Sequence, residues 1–296
     1  MKKTVFTGVA TALVTPMTKE GVDYPEFERL INWQIEEGVN GLVIAGTSGE
    51  AATLSDKEHR EVLEFAVKVA NHRVPIIAGT GSNDTDYAID LTKYAGEIGC
   101  EAVLLVTPYY NKATQRGLYE SFCAIADAST VPCILYNVPS RTGCNILPET
   151  CAKLAKHPNI VGVKEASGNI SQIAETILLT RDEDFDVYSG NDDQVVPLMS
   201  LGGKGVISVV SNILPKKTVE LCDKFFSGDV EGSRDIQLEL LPLINSLFCE
   251  VNPIPAKAAV AAIGFGENYV RLPLTTMEPE HEEKMRALMR EQGLNV

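Results

Sequence analysis

Little in the chain marks a metal protein, a cross-linked scaffold or a nucleic-acid binder. The seven cysteines, at positions 100, 123, 133, 144, 151, 222 and 249, include no Cys-x-x-Cys pair. Their odd number and scatter argue against a disulfide framework and a zinc site of the usual spacing. Free thiols of this kind fit a reducing cytoplasm. The four histidines, at 59, 72, 157 and 281, are too dispersed in sequence to form a metal motif, although a fold can still gather two. Positive charge is scarce: 26 Lys and Arg stand against 40 Asp and Glu, a net charge of −14. A dedicated DNA binder needs the opposite balance to neutralise phosphates. No apolar run reaches the length of about 18 residues that a membrane-spanning helix requires. The Gly-Lys-Ser/Thr ending of a P-loop and the Gly-rich dinucleotide fingerprint are both missing.

What remains is ordinary globular composition, 45% hydrophobic and 22% charged, in 296 residues. A chain of this length can bury a large core without disulfides or metals. The start, Met1-Lys2-Lys3 followed by Thr4 to Ala12, imitates a secretory signal, but three threonines and a glycine break its apolar stretch. It reads better as a first buried strand continuing to Leu13 and Val14.

Eight short apolar runs follow one another at 8–14, 41–45, 75–78, 102–106, 132–135, 160–163, 186–188 and 205–209. Most are continuous rather than alternating, as strands buried on both faces should be. Helical patterns with start signals lie between them. Pro25-Glu26, the capping box at Ser55 to Glu58, Asn83 to Thr85, Pro148-Glu149, Asn169 and Pro215 are the clearest. Eight strand–helix pairs in about 220 residues is the arithmetic of an α/β TIM barrel. A doubly wound sheet competes, because periodicity does not report closure; the strand count favours the barrel. Beyond Gly228 the strands stop, and 230–248, 255–263 and 278–292 read as helix. The expected organisation is a catalytic barrel domain, 1–228, with a C-terminal helical appendage, 229–296.

In such a barrel the active site gathers at the C-terminal ends of the strands. Those ends carry Gly46-Thr47-Ser48-Gly49-Glu50, Thr107-Pro108-Tyr109-Tyr110-Asn111, Tyr136-Asn137 with Pro139-Ser140-Arg141-Thr142-Gly143, Lys164-Glu165 and Ser189-Gly190-Asn191-Asp192-Asp193. Lys164 is the most informative. A solvated lysine amine is almost wholly protonated at neutral pH, whereas a desolvated one becomes a nucleophile able to form a Schiff base with a carbonyl. A plain ion pair with Glu165 or another carboxylate is the competing reading. Thr47 and Ser48 offer hydroxyls suited to a small carboxylate, or simply cap a tight turn. Tyr110 and Tyr136 can relay protons, or be aromatic residues with satisfied hydroxyls. Arg141 can clamp a carboxylate through two parallel hydrogen bonds, or lie on a surface loop. Gly202-Gly203-Lys204-Gly205 resembles a phosphate cradle, but it precedes its strand and so belongs at the opposite face.

Together these segments, with Val161-Gly162-Val163, Leu201-Gly202-Gly203, Gly205-Val206-Ile207-Ser208 and Asn252-Pro253-Ile254-Pro255-Ala256-Lys257, resemble the dihydrodipicolinate synthase family over nearly the whole chain. The resemblance implies a lyase that condenses pyruvate with L-aspartate 4-semialdehyde in lysine and diaminopimelate biosynthesis, with no metal or organic cofactor. It makes Lys164 the Schiff-base residue. Thr47 and Ser48 would hold the pyruvate carboxylate, and Tyr136, Thr47 and Tyr110 would pass protons. Tyr110 would enter from the neighbouring subunit of a tight dimer, within a homotetramer of two dimers. Arg141 would take the carboxylate of the incoming aldehyde, and backbone near Gly190 and Ile207 would line the pocket.

The resemblance also places a lysine effector cleft near Ala51, Asp56, His59, Asn83, Tyr87 and Tyr109. His59, Asn83 and Tyr109 fit that cleft. Tyr87 stands where lysine-sensitive members often carry an acid, and Asp56 where some carry His, so weak or absent inhibition is expected. Ser48 replaces a threonine common in the family. Sugar-acid aldolases of the same superfamily share the Lys and Tyr, and a non-catalytic binder on the same barrel is the remaining alternative. Arg141 separates the first two, because a fixed cation suits a short carboxylated aldehyde better than a polyol.

Overall fold

Strands of four to six residues, nearly all buried and each leading to a helix, close on themselves. The computed structural model describes residues 2–296. Its eight parallel barrel strands are β1 Gly8–Ala12, β2 Gly41–Ile44, β3 Ile76–Gly79, β4 Ala102–Val106, β5 Cys133–Asn137, β6 Ile160–Glu165, β7 Asp186–Ser189 and β8 Gly205–Ser208. Each pairs with its sequence neighbours, and β1 also pairs with β8 through Gly8 to Thr11 against Gly205 to Ser208. That last pairing rules out the doubly wound sheet. A two-strand hairpin, Met17–Thr18 with Gly21–Val22, lies outside the barrel.

The outer helices are α1 Tyr24–Glu36, α2 Asp56–Ala70, α3 Thr85–Glu97, α4 Gln115–Ala128, α5 Pro148–Leu154, α6 Ile170–Thr180, α7 Val195–Ser200 and α8 Pro215–Phe226. Their starts follow local chemistry. Asp23 and Asn169 accept helix N–H groups, Ser55 and Glu58 form the reciprocal capping box, and Asp84 caps α3 within the expected stretch. Each cap satisfies a donor that the first turn cannot pair internally.

Two buried layers result. Ala10, Val43, Ile77, Leu104, Ile134 and Ile207 form one cluster, which fills the barrel interior. Val9, Leu42, Ile76, Val103, Leu135 and Val206 belong to the other, under the helices. The alternation along each strand explains the split, since successive side chains point to opposite faces.

β6 breaks that rhythm once. Cys133 pairs with Ile160, but the next residue, Ile134, pairs with Gly162, so Val161 is an extra residue. Such a bulge re-phases the strand, and a shift of one residue sends every later side chain to the opposite face. Val161 belongs to the interior cluster, Val163 to the outer one. Lys164 therefore turns inward and Glu165 outward. Glycine is required at 162, where a Cβ would meet the Asp186 carbonyl oxygen at 2.4 Å.

Beyond the barrel lie α9 Val230–Ser246, α10 Ile254–Ala262 and α11 Pro279–Glu291. Helix α9 packs on α8, and α10 is buried from Ile254 to Val260. No described helix is long and apolar enough to cross a membrane.

Candidate active site

Lys164 ends up in the mouth of the barrel, 5% exposed. Its Nζ lies 4.4 Å from the centroid of the Tyr136 ring, on the adjacent strand at the same register. The ion pair with Glu165 does not form. Glu165 faces away from the interior, where its carboxylate accepts from Asn137 Nδ2 at 3.0 Å and from the Ser167 N–H at 2.7 Å. Burial pushes the Glu165 carboxyl up, and these hydrogen bonds oppose the shift. The network continues through Asn145 and Gln172, and Asn137 Oδ1 accepts from the Ile146 N–H. It thereby ties the end of β6 to the segment after Arg141.

A cavity of about 160 Å³ opens over Lys164. Thr47, Ser48, Tyr136, Arg141, Gly190 and Asn252 are among its walls. The Thr47–Ser48 turn is held by left-handed backbone at Ala45 and Glu50 and by Thr15 Oγ1, which donates to the Gly49 carbonyl at 2.9 Å. Glu50 is anchored from the appendage: Lys257 Nζ donates to its Oε1 at 2.5 Å, with both side chains almost fully buried. Desolvation lowers the Lys257 pKa, and Glu50 opposes it. Arg141 sits in the short helical turn Pro139–Thr142 and donates from Nη2 to the Asn252 carbonyl at 3.3 Å.

Most of the candidate catalytic and substrate-binding residues converge, but Ile207 and Tyr110 do not join this wall, nor do the cleft residues His59, Asn83 and Tyr109. Ile207 lies inside the barrel, fully buried, and Val209 two residues on reaches the cavity. Tyr110 is 93% exposed with φ of 70° and lines neither cavity of its own chain. Tyr109 lines a second cavity of about 530 Å³, which shares Thr47, Tyr136, Arg141 and Asn252 with the first. His59 and Tyr87 also line it. His59 Nε2 bonds with the Gly79 carbonyl at 2.9 Å, and burial lowers its pKa. Asn83 Nδ2 donates to the Tyr109 carbonyl at 3.2 Å. The Tyr87 hydroxyl donates to Asp56 Oδ1 at 3.0 Å, and burial with that carboxylate pushes its pKa up to about 12. Arg60 also bonds Asp56, at 3.0 Å.

Two polar residues of this region had no role in the sequence reading. Asp192 is buried after β7, and its Oδ2 accepts from the Val209 and Val210 N–H groups at 2.8 and 2.9 Å, joining the ends of β7 and β8. Desolvation pushes its carboxyl up, opposed by these bonds. Asn252 reaches in from between α9 and α10, and its Nδ2 donates to Ser48 Oγ at 3.0 Å. Lys204 lines a separate cavity with Lys2 and Asp186, at the opposite end of the strands from Lys164. Among the described residues no cluster of three or more His, Cys, Asp or Glu could hold a metal ion.

The closed (β/α)8 barrel thus holds a buried lysine in a small pocket at its strand ends, the arrangement that a Schiff-base aldolase requires. Residues 5–292 match the model of the dihydrodipicolinate synthetase family, and the chain belongs to that family. A 4-hydroxy-tetrahydrodipicolinate synthase of Acetivibrio thermocellus is 53% identical over 99% of this chain and all of that one. The dihydrodipicolinate synthase structure from Thermotoga maritima superposes with a TM-score of 0.97 at 45% identity, covering 99% and 100% of the two chains. That from Acinetobacter baumannii, complexed with pyruvate, gives 0.96 at 45% identity over 99% and 100%.

Proposed function

We propose that this chain condenses pyruvate with L-aspartate 4-semialdehyde to give 4-hydroxy-tetrahydrodipicolinate, in lysine and diaminopimelate biosynthesis. Family membership supports the reaction. The observation that carries the chemistry is the buried Lys164 amine beside the Tyr136 ring in a small pocket. The amine attacks the pyruvate carbonyl and water leaves, forming an iminium. That cation is an electron sink, which lowers the cost of removing a proton from the methyl carbon. The resulting enamine attacks the aldehyde carbon, forming the new C–C bond, and the aldehyde oxygen takes a proton. The free amine of the adduct then attacks the imine carbon, closing the ring and releasing Lys164.

In this reading Thr47 and Ser48 hold the pyruvate carboxylate, with backbone near Gly190 and Ile207 beside them. Tyr136 moves protons with Thr47 and Tyr110, and Arg141 binds the aldehyde's carboxylate. No cofactor takes part. Tyr110 serves the pocket of a neighbouring copy across a tight dimer, two of which make a homotetramer. Its outward side chain supports this role. The barrel at 1–228 and helices at 229–296 form catalytic and appended domains that meet at the pocket. A cytoplasmic location agrees with seven free cysteines.

Lysine binds weakly or not at all in the larger cleft, because Asp56 is already engaged by Arg60 and Tyr87. Calorimetry with lysine should show no saturable heat at millimolar concentration; tight binding would contradict this. The reaction itself is tested by pyruvate consumption with each acceptor. Turnover should require aspartate 4-semialdehyde, and turnover with N-acetylmannosamine instead would make the chain a sugar-acid aldolase.

A further inference from the structure

Asn252 is 5% exposed, and it is held at two of its polar atoms. Its Nδ2 donates to Ser48 Oγ at 3.0 Å, which leaves Ser48 its own proton to give to a ligand. Its main-chain carbonyl accepts from Arg141 Nη2 at 3.3 Å. Its Oδ1 is buried with no donor within reach among the described residues. Buried acceptors are almost always paired, so an orphan on a cavity wall points to a donor on the ligand.

The walls of the 160 Å³ cavity include Lys164 and Arg141 but no Asp or Glu. Glu50, on the larger cavity, is occupied by Lys257. A ligand bearing an ammonium group must therefore use a neutral acceptor. In an α-amino acid the ammonium nitrogen lies about 2.5 Å from the carboxylate carbon, as bond lengths near 1.5 Å dictate. A carboxylate held by Arg141 thus brings its ammonium to the residue whose carbonyl Arg141 already touches.

We propose that Asn252 Oδ1 receives the α-ammonium of the incoming amino-acid aldehyde, making Asn252 a specificity-determining residue for aminated over non-aminated aldehydes. The inference rests on the reaction assigned above and names the group that recognises one end of its second substrate.

The test measures, on pyruvate-loaded enzyme, KM for aspartate 4-semialdehyde and the competitive inhibition constant of succinate semialdehyde, the same chain without the amine. Their ratio cancels any disturbance of Ser48, which both ligands feel alike. A hydrogen bond to a charged group is worth about tenfold or more in affinity. Asn252→Leu should lower the preference for the aminated aldehyde by at least about that factor. Asn252→Asp keeps an acceptor and adds charge, so it should hold or raise the preference. An unchanged ratio in Asn252→Leu, or an equal fall in both variants, overturns the assignment. Borohydride trapping of pyruvate on the wild-type chain separates the two levels. Absence of an adduct refutes the reaction, and an adduct without the shift in ratio refutes only the role of Asn252.

Discussion

Lys164 and Tyr136 face each other across two neighbouring strands, the amine 4.4 Å from the ring centroid. A phenylalanine would keep that ring and its packing while removing the hydroxyl. General acid–base help is worth about 10²–10⁴ in rate. Tyr136→Phe should therefore lose turnover by that order and still form the reduced pyruvate adduct. Tyr110→Phe should also slow turnover without abolishing the adduct. Steady-state rates combined with intact-mass analysis check both, and full activity in either variant removes that tyrosine from the proton path.

Arg141 reaches the cavity from an exposed turn, so its loss should disturb binding more than folding. Arg141→Ala should raise KM for the aldehyde about 10- to 100-fold, with pyruvate trapping largely intact. Arg141→Lys should recover little, because an ammonium cannot reproduce two parallel hydrogen bonds. Failure of pyruvate trapping in Arg141→Ala would move this residue to the first substrate.

The loop after β2 is tied to the C-terminal region by charge. Arg271 bonds Glu58 through Nη1 at 2.9 Å and Nη2 at 2.5 Å, and also donates to the Thr53 carbonyl. The Arg271 partnership holds the Glu58 carboxyl at about 2, below its ordinary 4.5. A depressed carboxyl stabilises the fold above its unfolded value, and that stability fades as pH falls from about 4.5 to about 2. Glu58→Gln should cost about 1–2 kcal/mol at pH 7, allowing for partial exposure, and almost nothing near pH 2. Urea unfolding at the two pH values checks this; an equal cost at both would contradict the linkage.

Much of this molecule was legible in the chain. Continuous apolar runs, capping residues such as Ser55 and the polar strand ends located the barrel and its mouth, because each is a local signal. Lys164 is expected in the mouth from its place at a strand end, but the reason it faces inward is not local. A continuous run such as Ile160 to Val163 carries no alternation, and only the bulge at Val161 turns Lys164 inward. Asn252 belongs to a motif of the resemblance but has no role in the sequence reading. Its partner Ser48 is 204 residues away, and no local pattern links the two. Tyr110 was marked by its motif, yet its side chain is exposed and lines neither cavity of its own chain.

The central measurement is intact mass after borohydride reduction in the presence of pyruvate, for wild type and Lys164→Ala. Wild type should gain the mass of one reduced pyruvyl group per chain, mapped by peptide analysis to Lys164, and the variant should gain none. An unmodified wild-type chain, or an adduct that persists in Lys164→Ala, would contradict the Schiff-base mechanism.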